Sequence, residues 1–186
     1  VTPFILRRRK KDVLHDLPDK IEDVYYGKLE DEQKDLYEAR VQRFKLMLQK
    51  QSDEEFKENK IAVLAELTRL RQLCCDPHLI YDHYKGNSAK KELCLDIIEN
   101  AIEEGHKILL FSQFTSMLDT LTDDFDKKGI RYHKLVGSTP QRERAQMVES
   151  FQKDDVPIFC ISLKAGGTGL NLTAADIVIH YDPWWN

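Results

Sequence analysis

Hydrophobic positions follow two different periods along this 186-residue chain. Between residues 31 and 75 apolar side chains recur every three or four positions, which predicts helices over residues 31–51 and 59–75, with Pro77 ending the second. Residues 51–58 between them are polar and charged, as in an exposed connection, so the pair could project from the body. The apolar positions expected on the helix faces are Leu36, Val41, Phe44, Leu48, Ile61, Leu64, Leu67 and Leu70.

Beyond residue 88, short apolar runs alternate with helical patterns. The runs predict strands at 106–111, 130–136, 156–161 and 176–181, separated by helices at 88–104, 115–128 and after residue 139. Ser88 is the expected cap of the first helix; Ser138 or Thr139 is the expected cap of the third, with Pro140 at its first helical position. Near-continuous apolar strands joined through helices predict an α/β fold, a parallel sheet with helices on both faces.

The third predicted strand ends in an unusual loop. Lys164 is followed by Gly166, Gly167 and Gly169 within five residues. Backbone amides that no side chain blocks, beside a lysine and nearby hydroxyls such as that of Thr168, form a donor surface suited to a phosphate oxygen. A glycine turn required only for packing is the alternative.

The polar residues gather at one edge of the predicted sheet. Residues 112–113 follow the first strand, 137–139 the second, 164–168 the third and 182–186 the fourth. Ligands of open parallel sheets bind at the carboxyl ends of the strands, so these positions predict a site for a phosphate-rich partner. Helix capping and simple packing remain alternative roles for several of these residues.

Composition narrows the candidate chemistry. The formal charge of −4 argues against a uniformly basic surface for DNA, so any nucleic acid must contact local patches. The basic run at residues 7–11 is one such patch, although a solvated helix face and a contact between lobes are equally open readings. Four cysteines and six histidines lie without metal-site spacing, and no stretch of roughly 18 apolar residues predicts a membrane span. We therefore expect a soluble intracellular chain without a metal site.

Five sequence blocks resemble, in order, those of the Swi/Snf-type ATPases, the double-stranded-DNA translocases of helicase superfamily two. The blocks lie at residues 4–14, 70–77, 107–118, 132–142 and 156–186, the last resembling motif V and its extension. One departure is Val136, which stands where the family usually has Asp. The resemblance implies a RecA-like α/β lobe at residues 88–186, preceded by a leading segment and helical protrusion at 1–87, with the helical insertion at about 29–77.

In that family two RecA-like lobes close over ATP. This sequence has neither the Walker A motif nor the Asp-Glu box of the first lobe, and it stops before the arginine-bearing motif VI. The resemblance therefore implies a second lobe with no catalytic residue of its own, inactive as an ATPase when alone. ATP and Mg²⁺ would be bound mainly by the first lobe, and the partners would be that lobe and the backbone of double-stranded DNA.

The resemblance also implies roles for individual residues. Gly169, Leu170 and Asn171 would couple the nucleotide state to the grip on DNA. Location would be the bacterial cytoplasm and nucleoid or the eukaryotic nucleus. The residues expected to face DNA are Ser112, Gln113, Ser138, Thr139, Arg142, Lys164, Gly167, Thr168 and Trp185.

Two other classes remain possible. An RNA helicase lobe of the DEAD-box kind has the same fold, but its motif V typically reads Ala-Arg-Gly-Leu/Ile-Asp, unlike residues 165–171 here. A non-enzymatic, flavodoxin-like phosphate-binding module would use the glycine loop to hold a small ligand.

Overall fold

The computed structural model describes residues 21–29, 31–49, 59–166 and 170–183. The basic run at residues 7–11 lies outside the described residues. In chain order the elements are α1 (Asp31–Gln49), α2 (Lys60–Cys75), a 3₁₀ turn (Pro77–Leu79), α3 (Ala89–Glu103), β1 (Ile108–Ser112), α4 (Thr115–Lys128), β2 (Tyr132–Leu135), α5 (Gln141–Lys153), β3 (Ile158–Ser162), α6 (Leu163–Gly166) and β4 (Ile177–His180).

The four strands form one sheet in the order β2-β3-β1-β4, and every neighbouring pair is parallel. Ile108 of β1 lies opposite Ile158 of β3 and Ile177 of β4, so the three strands start in register. A parallel sheet places all carboxyl ends at one edge, which confirms the predicted α/β fold and brings the polar loop residues to that edge.

The sheet has a hydrophobic core on each face. Alternate residues of β1 and β3 point to opposite sides: Leu110 joins the core under α3 and α4, whereas Leu109 joins the core under α5. Phe125 of α4 and Phe151 of α5 are both fully buried, and complete burial of such a side chain contributes about 1.5–3 kcal/mol. Helices therefore cover both faces, as predicted.

The helices α1 and α2 form a hairpin, hereafter the protrusion, whose base is joined to the body. The buried side chain of Gln33 donates through Nε2 to the carbonyl of Leu73 at 3.0 Å, and its Oε1 accepts from the amide of Ala89 at 3.4 Å. Farther along the hairpin, Arg40 pairs with Glu66 at 3.3 Å. One buried amide thus connects the start of α1, the end of α2 and the start of α3.

The predicted apolar face of α2 is partly wrong. Ile61 and Leu64 are 83% and 56% exposed, whereas Val63 is buried. The more buried side of the helix runs through Val63, Glu66 and Leu73, a helical spacing that places Ile61 almost opposite. This side includes a paired carboxylate, so hydrophobicity alone could not locate it.

Two predicted caps are also wrong. Ser88 occupies the position before α3, but its hydroxyl makes no cap bond and instead donates to the carbonyl of Cys75 at 2.9 Å. Pro140, not Thr139, is the residue before α5. The Thr139 hydroxyl instead accepts from the amide of Val136 at 3.1 Å and closes the turn after β2. In contrast, Gly129 ends α4 in the left-handed conformation, at φ 69°, as expected.

Candidate nucleic-acid interface

An open cleft of about 390 Å³ lies across the carboxyl ends of β1, β2 and β3. Three of the residues predicted from the sequence, Gln113, Ser138 and Lys164, line it together, although they come from three different loops. The parallel register of the strands brings these loops side by side. The remaining lining residues are Thr115, Asp119, Lys134, Val136, Gly137 and Ser162.

Two buried polar atoms in this cleft have no hydrogen-bond partner among the described residues. They are Ser162 Oγ, on a residue only 2% exposed, and Gln113 Oε1. A buried polar atom without a partner costs about 1–3 kcal/mol, so such atoms are uncommon and call for an explanation. The Ser162 hydroxyl can donate to a phosphate oxygen, whereas Gln113 Oε1 is an acceptor and would need a donor.

The two lysines of the cleft differ in their surroundings. Lys134 donates to Asp119 Oδ1 at 2.5 Å and to Thr122 Oγ1 at 3.0 Å, so its charge is balanced by a neighbouring carboxylate. Lys164 is exposed, and within the described parts of the chain it has neither an ion pair nor a hydrogen bond. Lys164 therefore supplies the cleft with a positive charge that no described carboxylate neutralises.

Ser112 lies at the same edge, but its hydroxyl is hydrogen-bonded to Asp182. It is fully buried, its hydroxyl donates to Asp182 Oδ1 at 2.5 Å, and its Oγ accepts from the amide of Phe114. The amide of Gln113 donates to both oxygens of Asp182 at 3.1 Å. The Ser112 hydroxyl therefore joins the ends of β1 and β4. Direct contact between Ser112 and DNA stays a prediction.

Asp182 is the residue whose importance the sequence did not reveal. Next to a proline it could have started an ordinary turn, yet it is 2% exposed and receives three hydrogen bonds from residues 112 and 113. The available hint was its position directly after a strand, at the edge already predicted to carry the site.

Arg144 organises the turn after β2, whereas contact of Arg142 with DNA stays a prediction. The Arg144 guanidinium donates to the carbonyls of Thr139 at 3.1 Å, Gly137 at 3.3 Å and Val136 at 3.4 Å. Arg142 is exposed, without a hydrogen bond or ion pair to any described residue. Both arginines lie in the first turns of α5, and only the position of the turn relative to the helix distinguishes them.

The glycine loop begins differently from expectation. Residues Leu163–Gly166 form a helical turn directly after β3, and a Cβ added at Gly166 would lie 2.9 Å from the ring of Phe111. At this glycine packing is therefore sufficient to exclude a side chain. The predicted residues Gly167, Thr168, Gly169 and Trp185 lie outside the described residues.

Beyond the loop, the chain returns to the sheet. Leu170 packs against the core under α5, and the exposed Asn171 accepts a hydrogen bond at its carbonyl from Gln152 Nε2 at 2.7 Å. The Asn171 backbone is thus held by α5, and a role of Asn171 at a nucleotide stays a prediction.

The described residues contain no group of three or more His, Cys, Asp or Glu side chains placed to hold a metal ion. The thiols of Cys75, Cys94 and Cys160 are buried, and burial raises their pKa to about 12, so they stay protonated at physiological pH. Among the helices described, none has the length and apolarity needed to cross a membrane.

A parallel sheet with a polar cleft at its carboxyl-end edge defines an open α/β domain that binds its ligand at that edge. Residues 89–186 match the helicase conserved C-terminal domain, and residues 1–79 match the SNF2-related domain. The chain therefore belongs to the SNF2 family of ATP-dependent helicases, which confirms the resemblance found in the sequence.

Relatives occur in bacteria and eukaryotes. An uncharacterised ATP-dependent helicase of Mycoplasma pneumoniae is 40% identical over the whole chain, and the nuclear protein STH1/NPS1 of Saccharomyces cerevisiae is 34% identical over 99% of it. The chain spans only 18% and 15% of the lengths of these two proteins. It therefore corresponds to one part of much longer relatives.

Solved structures agree with the assignment. The C-terminal domain of the Sulfolobus solfataricus SWI2/SNF2 ATPase is 33% identical, with a TM-score of 0.80 over 90% of this chain and 74% of that one. The core of the same ATPase in complex with double-stranded DNA has the same identity and TM-score, covering all of this chain and 40% of that one. The predicted RecA-like fold is confirmed by these matches.

Proposed function

We propose that this chain is the second motor lobe of an ATP-dependent translocase on double-stranded DNA that remodels protein–DNA complexes. The single observation that carries the proposal is the cleft at the carboxyl ends of β1–β3, which combines Lys164 with Ser162 Oγ. Neither group has a hydrogen-bond or ion-pair partner among the residues that the structure describes. The similar SWI2/SNF2 core that was solved with double-stranded DNA supports this choice of ligand.

The cleft suits a nucleic-acid backbone better than it suits a base. A phosphate needs a cation and nearby donors, and Lys164, Ser138 and Ser162 offer these within one surface. Contacts to phosphates position a protein without reading sequence, so binding should be independent of sequence. Thr139, Arg142, Gly167, Thr168 and Trp185 are proposed to extend this surface, while Ser112 and Gln113 connect it to β4 through Asp182.

ATP and Mg²⁺ belong to the proposed full-length enzyme, mainly to a first lobe that precedes this one. When bound there, ATP supplies the energy for movement on DNA through hydrolysis of its γ-phosphate. Within this chain, Gly169, Leu170 and Asn171 are proposed to lie toward the cleft between lobes. Leu170 is fixed against the core under α5, so a shift at the neighbouring Asn171 would be transmitted to the lobe as a whole.

We further propose that residues 1–87 form a leading segment with the protrusion and that residues 88–186 form the lobe. Such a protein would act in the nucleoid of a bacterium or in the nucleus of a eukaryote. An RNA helicase remains the second candidate, because the fold alone is shared with that class.

Binding measurements on the full-length protein distinguish these candidates. We expect double-stranded DNA to bind without sequence preference, and each phosphate contact to add about 0.9 to the slope of log affinity against log salt. Duplex DNA should also stimulate ATP hydrolysis more than single-stranded RNA does. Stimulation by RNA alone, or an affinity that does not change between about 50 and 200 mM salt, would refute the proposal.

A further inference from the structure

The end of α2 contacts the carboxyl-end edge of the sheet through one arginine. Arg71 donates to the carbonyl of Pro183 at 2.6 Å, and its guanidinium lies 3.8 Å from Asp182 Oδ2 and 5.7 Å from the centre of the Phe114 ring. Its side chain is only 18% exposed. A residue of the protrusion thus touches both the loop after β1 and the segment after β4.

A second connection lies one turn farther along the same helix. Tyr181, at the end of β4, donates its hydroxyl to the carbonyl of Cys75 at 2.7 Å, and the Ser88 hydroxyl donates to the same carbonyl. Tyr181 is 3% exposed, so this connection is inside the protein. The end of α2 therefore cannot shift without moving the end of β4 or breaking buried hydrogen bonds.

Asp182 extends the connection into the cleft. The carboxylate that Arg71 approaches also accepts the hydrogen bonds from Ser112 and from the amide of Gln113, and the Gln113 side chain lines the cleft. A displacement of Arg71 would pass through Asp182 to the backbone of a cleft residue.

We propose that Arg71 and Asp182 form a joint that couples the position of the protrusion to the geometry of the DNA-facing cleft. Both are positioning residues: neither needs to touch DNA. The role of the cleft in this statement rests on the proposed function, whereas the joint itself does not. A partner or a first lobe that tilts α2 would change the grip on DNA through this joint, and DNA in the cleft would favour one tilt of the protrusion.

An anchor that only stabilises the fold does not require this chemistry. Pairs of buried charges add little net stability, since the cost of removing them from water offsets much of their attraction. The planar guanidinium of arginine can instead hold a carbonyl and a carboxylate in fixed directions at the same time, which a lysine cannot do as well. These properties suit a connection that passes a movement of α2 to Asp182 in a defined direction.

Amide hydrogen exchange tests the joint without DNA. In the full-length protein, Arg71→Gln should speed exchange in the peptides that contain residues 112–114 and 181–183 by roughly tenfold, because local opening there becomes easier. Arg69→Gln is the matched control: Arg69 lies on the same helix, is exposed and pairs with Glu66. Unchanged exchange in Arg71→Gln, or equal changes in both variants, would overturn the proposal.

Translocation tests the coupling. Arg71→Gln and Asp182→Asn should each lower the distance moved per ATP by roughly three- to thirty-fold, and the double variant should be no worse than the poorer single one. A structural role alone would lower ATPase activity and translocation equally, and that result, like an equal loss in Arg69→Gln, contradicts the joint. If Arg71→Gln melts more than roughly 5 °C lower, Arg71→Lys replaces it in the same comparison.

The two proposals fail separately. If the wild-type protein does not move on double-stranded DNA, the proposed function is wrong, and hydrogen exchange alone then decides the joint. If the wild-type protein translocates and either measurement fails to distinguish Arg71→Gln from Arg69→Gln, the joint is wrong while the proposed function stands.

Discussion

The two edges of the sheet differ in how completely their charged side chains are paired. At the amino-end edge, where the strands begin, charged side chains lie in pairs: His106 with Asp176 at 2.6 Å, His133 with Asp154 at 2.7 Å, and Arg131 with Asp155 at 2.9 Å. At the carboxyl-end edge Lys164 has no such partner among the described residues, and Ser162 Oγ is unsatisfied. The carboxyl-end edge also contains pairs, such as Lys134 with Asp119, but among the described residues it differs from the amino-end edge in holding an exposed lysine without a partner.

The pKa shifts at the amino-end edge follow from these pairs. Burial would raise the pKa of Asp154, but hydrogen bonds from the His133 ring and the Val156 amide lower it below its ordinary value. The hydrogen bond that the His106 ring donates to the Asp176 carboxylate raises the pKa of His106. Charges satisfied inside the protein gain little from an external phosphate, so the difference between the edges indicates where a polyanion should bind.

The largest expected effect is a loss of folding stability when the hydrogen bonds of Lys107 at the amino-end edge are removed. Lys107 donates to the carbonyls of Phe151 at 2.6 Å and Asp154 at 2.8 Å, at the end of α5. Lys107→Met should lower the free energy of unfolding by about 2–3 kcal/mol, because those carbonyls lose a charged donor. Denaturant unfolding measures the change, and DNA affinity should stay as it was.

The corresponding change at the carboxyl-end edge should have the opposite result. Lys164→Ala should weaken binding to double-stranded DNA by roughly three- to tenfold and reduce the salt slope by about 0.9, since one phosphate contact is lost. It should lower the DNA-stimulated ATPase rate, spare the DNA-independent rate, and leave stability within about 0.5 kcal/mol.

Arg131→Ala is the control, because Arg131 lies at the amino-end edge and pairs with Asp155. Equal losses of DNA affinity in Arg131→Ala and Lys164→Ala would show that both act through general charge, and the contrast between the edges would then be wrong.

The smallest effect concerns pH. His106 has a raised pKa, so its pairing stabilises the fold below its unfolded pKa of 6.5 and this contribution is lost as pH rises through the folded pKa. Asp176 has a lowered pKa, although burial opposes the shift, so its contribution is present above 3.8 and is lost as pH falls through the folded value.

His106→Gln should therefore lower the melting temperature slightly at about pH 5.5 and less at about pH 8.5. Melting curves of the two proteins across this range measure the difference. A gap that widens toward high pH would contradict the assigned pairing.

Local rules predicted the body of the lobe well. The helix predicted at residues 115–128 has the same bounds in the structure, since Gly129 supplies the left-handed residue that ends it. The strands β1 and β3 were evident because both faces of a central parallel strand are buried, which leaves a continuous apolar run.

Predictions from the sequence failed where the hydrogen-bond partner of a residue lies far away in sequence. Ser88 resembled a helix cap, but it bonds to Cys75, and Asp182 resembled a turn residue, but it bonds to Ser112, 70 positions earlier. The order of strands in the sheet brings these residues together, and no local pattern encodes that order. Arg144 was missed for a different reason: its partners lie only a few positions earlier, but the path of the turn after β2 decides which arginine reaches their carbonyls.

The tight fit at Gly166 links positions that are far apart in sequence. Alanine at 166 would need the Phe111 ring to yield, and that ring also stacks on His180 of the edge strand, with the ring centres 5.3 Å apart. Variation at these three sites should thus be correlated across descendants of this sequence. A larger residue at 166 would be inherited with a smaller one at 111, and the side chain at 180 would then lose its stacking neighbour.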